Sequence, residues 1–322
     1  MSFRDPSDTN RLSIKTINCL INTGGIGDLL CSLMPIAYLK HNSPWVNVLV
    51  WCPDFLKEFA KHVLPDGMVV RNYTEAKVKY DKTRVGITTQ VKGQHTNMRT
   101  HPVKYAFHTL CDFSPSDEQM SYLKIKSNLI KISQFNLPDR YIVIQGSSVE
   151  QVKRMPDNTF NQLVDYCHFN NYKVVVIGKR ITSGLVETAD IVSTSGNYDF
   201  SKTLDLMDKT SMLESAAIIA GAKLFIGMDG GLMHMAAFTD TPMLIGVTFV
   251  TPQHIGPVRD GIKNKNIYYV EPDESLKCRG CQTNWSLMYD HDFRNCYYND
   301  YACVNHMTFG KFKKQIEDNN LL

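Results

Sequence analysis

No run of consecutive apolar residues in this 322-residue chain approaches the roughly 18 that a membrane-spanning helix requires. The N-terminal stretch MSFRDPSDTNRLSIK is polar and lacks the apolar core of a secretory signal peptide. The chain also lacks internal repeats and low-complexity segments. These absences argue against a membrane-spanning or exported protein, and we expect a soluble protein of the cytoplasm.

Neither sign of charge dominates, since 35 Lys and Arg residues stand against 32 Asp and Glu residues, but the charge is unevenly distributed. Residues 1–136 hold 17 basic and 11 acidic residues, whereas residues 137–322 hold 18 and 21. Within the first half, residues 77–104 contain seven basic residues, one acid and Tyr80. This stretch is either a solvated loop or a surface that contacts a polyanion, and the two halves are expected to face different partners.

Strand-like and helix-like segments alternate along the chain, which is typical of α/β proteins with parallel sheets. One series runs from KTINCLI (15–21) to MVVRN (68–72), and a second runs from YIVIQG (141–146) to PMLIGVTF (242–249). Apolar runs such as VVVI and LIGV suit strands that are covered on both faces.

A helix-like segment, HPVKYAFHTLCD (101–112), and a polar, proline-containing join at residues 133–140 separate the two series. A chain of this length is comfortable for two domains. We therefore predict two doubly wound, Rossmann-like α/β domains, residues 1–136 and 137–322, that face one another across a cleft.

A glycine turn follows the first predicted strand, in NTGGIGDLLCSLMPIAYLK (22–40), and leads into a helix with one apolar face. Its glycines suggest the dinucleotide-binding fingerprint, but the register that starts at Gly25 needs a third glycine where Leu30 stands. The residue required for close helix packing is missing, which argues against a nicotinamide dehydrogenase. The other interpretation is that the turn presents Asp28 to a substrate.

A second glycine pair occurs in FIGMDGGLMHMAA, where Asp229 follows a predicted strand and Gly230 and Gly231 open a helix. Backbone N–H groups at such a helix start can bind a phosphate. The alternative is an ordinary turn with Asp229 as the N-cap. For His234, in the first turn of that helix, a structural role is favoured over a phosphate contact.

A third loop, IQGSSVEQVKRMP, also follows a predicted strand. Ser147 and Ser148 offer hydroxyl donors, and Lys153 and Arg154 offer positive charge. Two such loops at the carboxyl ends of one parallel sheet would form a pocket for a nucleotide diphosphate.

The motifs GGIGDLLCSLMP, SSVEQVKRMP and IGMDGGLMHMAA, with TFVTPQHIGP after the last, occur in the order seen in glycosyltransferase family 9, the heptosyltransferases of lipopolysaccharide core synthesis. The chain resembles that family over roughly the first 40 residues and most of the second half, but not over residues 72–136. The resemblance implies a GT-B fold, a sugar-nucleotide donor and an inverting reaction without a catalytic metal. It also implies that Asp28 is the general base.

The donor diphosphate would be held by residues of the second and third loops: Ser147, Ser148, Lys153, Arg154, Asp229, Gly230, Gly231 and His234. The chain departs from the family pattern at Gly230, where threonine is common, and at Lys179 and Arg180, which replace an acid. These departures leave the donor's base and sugar open.

The acceptor is expected to be a hydroxyl on an anionic polymer, with DNA that carries hydroxymethylated bases, as in some bacteriophages, slightly favoured over a lipopolysaccharide core. A non-enzymatic protein that only binds a nucleotide or a polyanion is the remaining alternative. The candidate acceptor-binding residues are Gly24, Gly25, Gly27, Lys77, Lys79, Lys82 and Arg84.

Five of the nine cysteines are scattered among apolar segments and are expected to be buried small hydrophobes. The other four have the spacing C-x2-C, x14, C-x6-C. Structural zinc with four thiolate ligands is the favoured interpretation, ahead of free thiols and disulfides. His291 or His306 can replace one sulfur ligand. The four candidate ligands are Cys278, Cys281, Cys296 and Cys303.

Overall fold

The computed structural model describes residues 16–21, 26–72, 116, 123–146, 148, 150–180, 198–257, 259, 266–281, 296 and 298–322. The chain divides into two compact units, Met1–Lys126 with Pro257–Lys265, and Ser127–Gly256 with Asn266–Leu322. The join predicted at residues 133–140 lies within the second unit. Among the described residues, no helix has both the length and the apolar character needed to cross a bilayer.

The first unit contains a parallel sheet whose three described strands follow one another in sequence order. Each strand is joined to the next by a helix, as the alternating pattern predicted. The register pairs Leu20 with Trp51 and Cys52 with Asn72. The elements are β1 (Thr16–Leu20), α1 (Ile26–Asn42), β2 (Asn47–Cys52), α2 (Asp54–Val63) and β3 (Val69–Asn72).

Helix α1 is more deeply buried than its sequence pattern predicted. The pattern gives it one apolar face, yet every residue from Leu29 to Ala37 is buried, including Ser32 on the expected polar side. A helix that is apolar on nearly all sides lies inside a core rather than on its surface. The expectation of a single apolar face was therefore wrong for this helix.

The second unit contains a parallel sheet with six described strands. They are β4 (Tyr141–Gln145), β5 (Lys173–Val176), β6 (Thr203–Asp205), β7 (Phe225–Met228), β8 (Met243–Gly246) and β9 (Ile267–Val270). Their order in the sheet is β6-β5-β4-β7-β8-β9. Every residue of β4, β7 and β8 is buried, as expected for strands covered on both faces.

The helices of the second unit contribute to the core that surrounds this sheet. Three of their side chains, Phe160, Phe312 and Ile316, pack in the same cluster as Ile144 and Ile226 of the central strands. The helices are α3 (Asp157–Phe169), α4 (Met212–Gly221), α5 (Gly231–Ala236), α6 (Pro252–Ile255), α7 (Ala302–Asn305) and α8 (Phe309–Asp318).

Sequence patterns did not reveal β6, β9 or the C-terminal helices. Strand β6 has only three residues, Thr203, Leu204 and Asp205, and all three are half-buried at one end of the sheet order. Such a short, polar segment carries no detectable alternation. The predicted helix at residues 101–112 lies outside the described residues.

Candidate functional site

The order of the six strands reverses between β4 and β7. From β4 the chain moves outward through β5 and β6, and it then returns to the other side of β4 with β7, β8 and β9. In open parallel sheets, ligands bind outside the carboxyl ends of the strands at this switch point. The loops that follow β4 and β7 therefore mark the place where a ligand of this unit is expected.

The side chains of Lys153 and Asp229 meet at this switch point. Lys153 ends a 3-10 turn, Gln151–Lys153, in the loop after β4, and Asp229 directly follows β7. The Lys153 ammonium lies 3.3 Å from Asp229 Oδ2 and 2.9 Å from Glu150 Oε2. Burial by itself lowers the pKa of Lys153, but the two carboxylates outweigh burial and raise the pKa above its ordinary value.

The turn that carries Lys153 is held against the end of β8. The buried hydroxyl of Thr248 donates a hydrogen bond to the carbonyl oxygen of Val152. The Phe249 ring lies under the lysine, with Lys153 Nζ 5.5 Å from the ring centroid, within the range of a cation–π interaction. Backbone and packing contacts therefore restrain the position of the ammonium group.

The loop from Gly146 to Met155 is closed by Tyr198. Its hydroxyl lies 2.8 Å from the Gly146 carbonyl oxygen and 2.7 Å from that of Met155, and the Met155 N–H donates to the Gly146 carbonyl. A Cβ on Gly146 would lie 3.1 Å from both Phe160 and Tyr198. Glycine is therefore favoured at residue 146 because the rings behind it are packed.

Two other predicted donor residues lie in the same loop. The Ser148 hydroxyl oxygen accepts a hydrogen bond from the Glu150 N–H, which leaves its own proton available for a ligand. Arg154 Nε donates to the Ser148 carbonyl oxygen. Ser147 lies outside the described residues.

Asp229 is not the N-cap of α5. Gly230 holds that position and no side chain caps the helix. The carboxylate of Asp229 instead faces Lys153, and Asp229 as a whole is only 3% exposed. The alternative of an ordinary turn capped by Asp229 is thus excluded, whereas Gly230 and Gly231 open the helix as predicted and His234 is buried in it.

Lys179 and Arg180, which replace an acid of the family pattern, interact with a neighbouring strand. The Arg180 guanidinium pairs with Asp205 at the end of β6, and the backbone N–H of Arg180 donates to the carboxylate of Asp208. Lys179 lies 4.0 Å from Asp208. These two cations are therefore engaged by acids of the chain itself.

The four predicted metal ligands share one neighbourhood. Cys281 and Cys296 pack against a small cluster that contains Cys303, Val152 and Phe249. Burial, followed by the charges of Cys281, Cys278 and Cys296, raises the pKa of the Cys303 thiol to about 12. Within the described parts of the chain, however, no group of three or more Cys, His, Asp or Glu side chains is arranged to hold a metal ion.

The predicted residues of the first unit are only partly described. Asp28 is the third residue of α1, which begins at Ile26 after strand β1, and its side chain is not among those described. Gly27 lies beside it on the helix. The remaining candidates lie outside the described residues: Gly24, Gly25, Lys77, Lys79, Lys82 and Arg84.

The parallel sheets and the strand order of the second unit define an α/β protein of the doubly wound class. A family model described as glycosyltransferase family 9 (heptosyltransferase) matches residues 81–283, more than half of the chain. The chain therefore belongs to glycosyltransferase family 9, as the motifs indicated. The match includes residues 81–136, where the motifs indicated no resemblance, so that expectation was wrong. The motif GGIGDLLCSLMP lies before the matched residues.

Similar proteins support this assignment. Lipopolysaccharide heptosyltransferase 3 of Escherichia coli (strain K12) is 27% identical over 131 residues, which are 40% of this chain and 37% of that protein. The aligned part thus spans little more than a third of that relative.

Solved structures share the fold. The iron-containing dodecameric glycosyltransferase TibC from enterotoxigenic E. coli H10407 has a TM-score of 0.70 at 16% identity, covering 95% of this chain and 78% of TibC. TibC has also been crystallised with ADP-D-β-D-heptose. The E. coli heptosyltransferase WaaC with ADP has a TM-score of 0.59 at 13% identity, covering 94% of this chain and 99% of WaaC. The α/β GT-B fold class is confirmed.

Sequence reasoning missed three residues around Lys153. Glu150 stands three positions before the lysine, a spacing at which an ion pair could have been anticipated. Thr248 and Phe249 belong to the quoted segment TFVTPQHIGP, but nothing in the sequence indicates that this segment packs beneath the loop after β4.

Proposed function

We propose that this chain transfers a sugar from a nucleotide-diphosphate donor to a hydroxyl group of an acceptor of the lipopolysaccharide core type. The observation that carries the proposal is the position of Lys153 and Asp229 at the switch point of the second sheet. Membership of a glycosyltransferase family gives that position its chemical meaning.

The donor's diphosphate would be bound by the loop after β4 and the start of α5. Lys153 supplies positive charge, and the Ser148 hydroxyl donates a hydrogen bond to a phosphate oxygen. The N–H groups of Gly230 and Gly231 can approach the phosphate closely because glycine has no Cβ. Ser147 and Arg154 complete the set. Asp229 would orient Lys153 and accept a hydrogen bond from a sugar hydroxyl, and the buried His234 would have a structural role.

Asp28 is proposed as the general base. It would take the proton of the acceptor hydroxyl while the oxygen attacks the anomeric carbon and the bond from that carbon to the diphosphate oxygen breaks, which inverts the configuration. The leaving diphosphate gains negative charge in this step, and the Lys153 ammonium would stabilise it. No step in this scheme requires a catalytic metal.

The four-cysteine cluster is proposed as a structural metal site. Four thiols in one neighbourhood have the donor chemistry of a zinc or iron site, although their described positions do not yet form a ligand set. A bound metal would draw the four sulfurs together behind Val152 and Phe249, and so support the turn that carries Lys153.

For the acceptor, a lipopolysaccharide-type substrate is favoured because one similar protein is the lipopolysaccharide heptosyltransferase 3 of E. coli. The preference for modified DNA rests on the basic stretch 77–104, which lies outside the described residues. It therefore becomes the alternative arm of the test.

The test is a transfer screen with ADP-, UDP- and GDP-sugars, including ADP-heptose, against lipopolysaccharide core fragments and hydroxymethylated duplex DNA. We expect nucleotide release that depends on a core fragment. Transfer to DNA, with an affinity that falls with salt at a log–log slope of about −0.9 per phosphate contact, would instead establish the DNA-modifying function. Absence of transfer and of donor hydrolysis across the panel would contradict the proposal.

A further inference from the structure

Glu150 competes for the ammonium group that a donor phosphate needs. Its Oε2 lies 2.9 Å from Lys153 Nζ, nearer than the 3.3 Å that separates Lys153 from Asp229. One ammonium therefore stands between two carboxylates, and the formal charge of the three side chains is negative. A cluster with this charge repels a diphosphate.

Arg154 does not remove this difficulty on its own. It is the next residue along the loop, but its Nε is engaged by the Ser148 carbonyl oxygen. Even if its full charge counts, two cations only balance two anions. The Lys153 ammonium has a third N–H, but a diphosphate bound there would still lie beside two carboxylates, so displacing one of them lowers the repulsion.

The environments of the two carboxylates differ sharply. The Asp229 side chain is 4% exposed, and its backbone N–H is bonded to the Gly246 carbonyl oxygen of the neighbouring strand. Glu150 lies on an irregular segment just before the 3-10 turn, and its side chain is 26% exposed. Moving Asp229 would open the end of the buried sheet, whereas Glu150 can turn toward water by side-chain rotation.

We propose that Glu150 is a positioning residue that holds the Lys153 ammonium over Phe249 and is exchanged for a phosphate oxygen when the donor binds. The inference rests on the proposed function, because it assumes a diphosphate donor at Lys153. Glu150 restrains the Lys153 side chain in the absence of the donor. When a phosphate oxygen replaces the Glu150 carboxylate, one negative charge leaves the cluster. The cost of displacing Glu150 then lowers donor affinity.

The test is calorimetry of Glu150→Gln with ADP, UDP and GDP titrated separately, alongside thermal unfolding with and without each nucleotide. Glutamine keeps the shape and removes the charge. We expect the nucleotide that binds the wild type to bind the variant about twofold to fivefold more tightly, the scale of one partly exposed ion pair. Without nucleotide the variant should melt lower, while its nucleotide-induced shift in Tm should be larger.

Asp318→Asn is the matched control, since it removes the same charge from an exposed pair with Lys314 on α8 and should not alter nucleotide affinity. A Glu150→Gln variant that binds the nucleotide equally or more weakly overturns the inference and leaves the proposed function standing. If none of the three nucleotides binds the wild type, the proposed donor site itself fails, and the role of Glu150 falls with it.

Discussion

Asp28 is the residue on which the proposed chemistry depends most directly. Asp28→Asn is expected to lower transfer by roughly 100-fold or more, because the amide cannot take the acceptor's proton. Donor binding should be unchanged, since no donor contact is assigned to this residue. The rate is measured at saturating donor, with calorimetry as the control for binding. A rate within about threefold of wild type would remove Asp28 from the general-base role.

Lys153 and Asp229 form a pair whose two members should be energetically coupled. Lys153→Ala leaves a buried carboxylate without its cation and is expected to cost about 1 to 3 kcal/mol of unfolding free energy. In an Asp229→Asn background the same change should cost clearly less, because only the partly exposed Glu150 is then left without its cation. Urea unfolding of the four proteins measures this coupling. If the effects of the two substitutions on the unfolding free energy are additive, the 3.3 Å contact between Lys153 and Asp229 contributes no coupling energy.

Lys153→Ala should also weaken nucleotide binding, which calorimetry measures separately from stability. A charge-assisted hydrogen bond to a phosphate contributes about 1.5 to 3 kcal/mol. Unchanged affinity would point to Arg154 as the phosphate-binding cation. Arg180, the other alternative, is paired with Asp205.

At the scale of elements, the turn after β5 depends on a glycine. Gly178 has φ +121°, and a Cβ there would also meet Leu232 at 3.3 Å. Gly178→Ala is therefore expected to destabilise the second unit by about 1 to 3 kcal/mol. Gly310→Ala, at an open position on α8, is the matched control and should stabilise by up to about 1 kcal/mol. Chemical unfolding distinguishes them, and equal effects would contradict the argument.

The short 3-10 turn Gln151–Lys153 shows how elements combine to build a site. It is packed between the end of β8, through Thr248 and Phe249, and the cluster that includes Cys303. The position of Lys153 therefore depends on segments that lie far apart in the sequence. Substitutions of the cysteines should therefore disturb the proposed donor site as well, because Val152 and Phe249 belong to the same cluster.

At the scale of the molecule, metal content is the decisive measurement. Protein purified without added metal is expected to hold about one equivalent of zinc or iron, and a chelator should lower both Tm and nucleotide affinity. Cys281→Ser should lose the metal, whereas Cys167→Ala, a change in the core cluster of the second unit, should retain it. Metal-free protein with full nucleotide affinity and titratable thiols would show that the four residues are ordinary cysteines and bind no metal.

The architecture could be predicted because strand and helix periodicity is a local property. Runs such as YIVIQ and FIGM are mostly apolar, which is typical of strands covered on both faces. The bounds predicted for each strand lie within a few residues of the observed ones. Strand β6 could not be found, because three half-buried residues carry no periodicity and only the neighbouring strand β5 makes them a strand. The single apolar face expected for α1 failed for a related reason, since the surrounding core decides which sides are covered.

The sequence by itself determined the alternation of strands and helices, the family, and the loops that carry Lys153 and Asp229, because each is encoded in a short contiguous segment. Only the tertiary structure decided that Asp229 faces Lys153 rather than capping its helix, that Glu150 shares the same ammonium, and that Arg180 is engaged by Asp205. These outcomes depend on which strands become neighbours at the switch point. Charge pairing between distant loops follows from that arrangement and leaves no periodic trace in the chain.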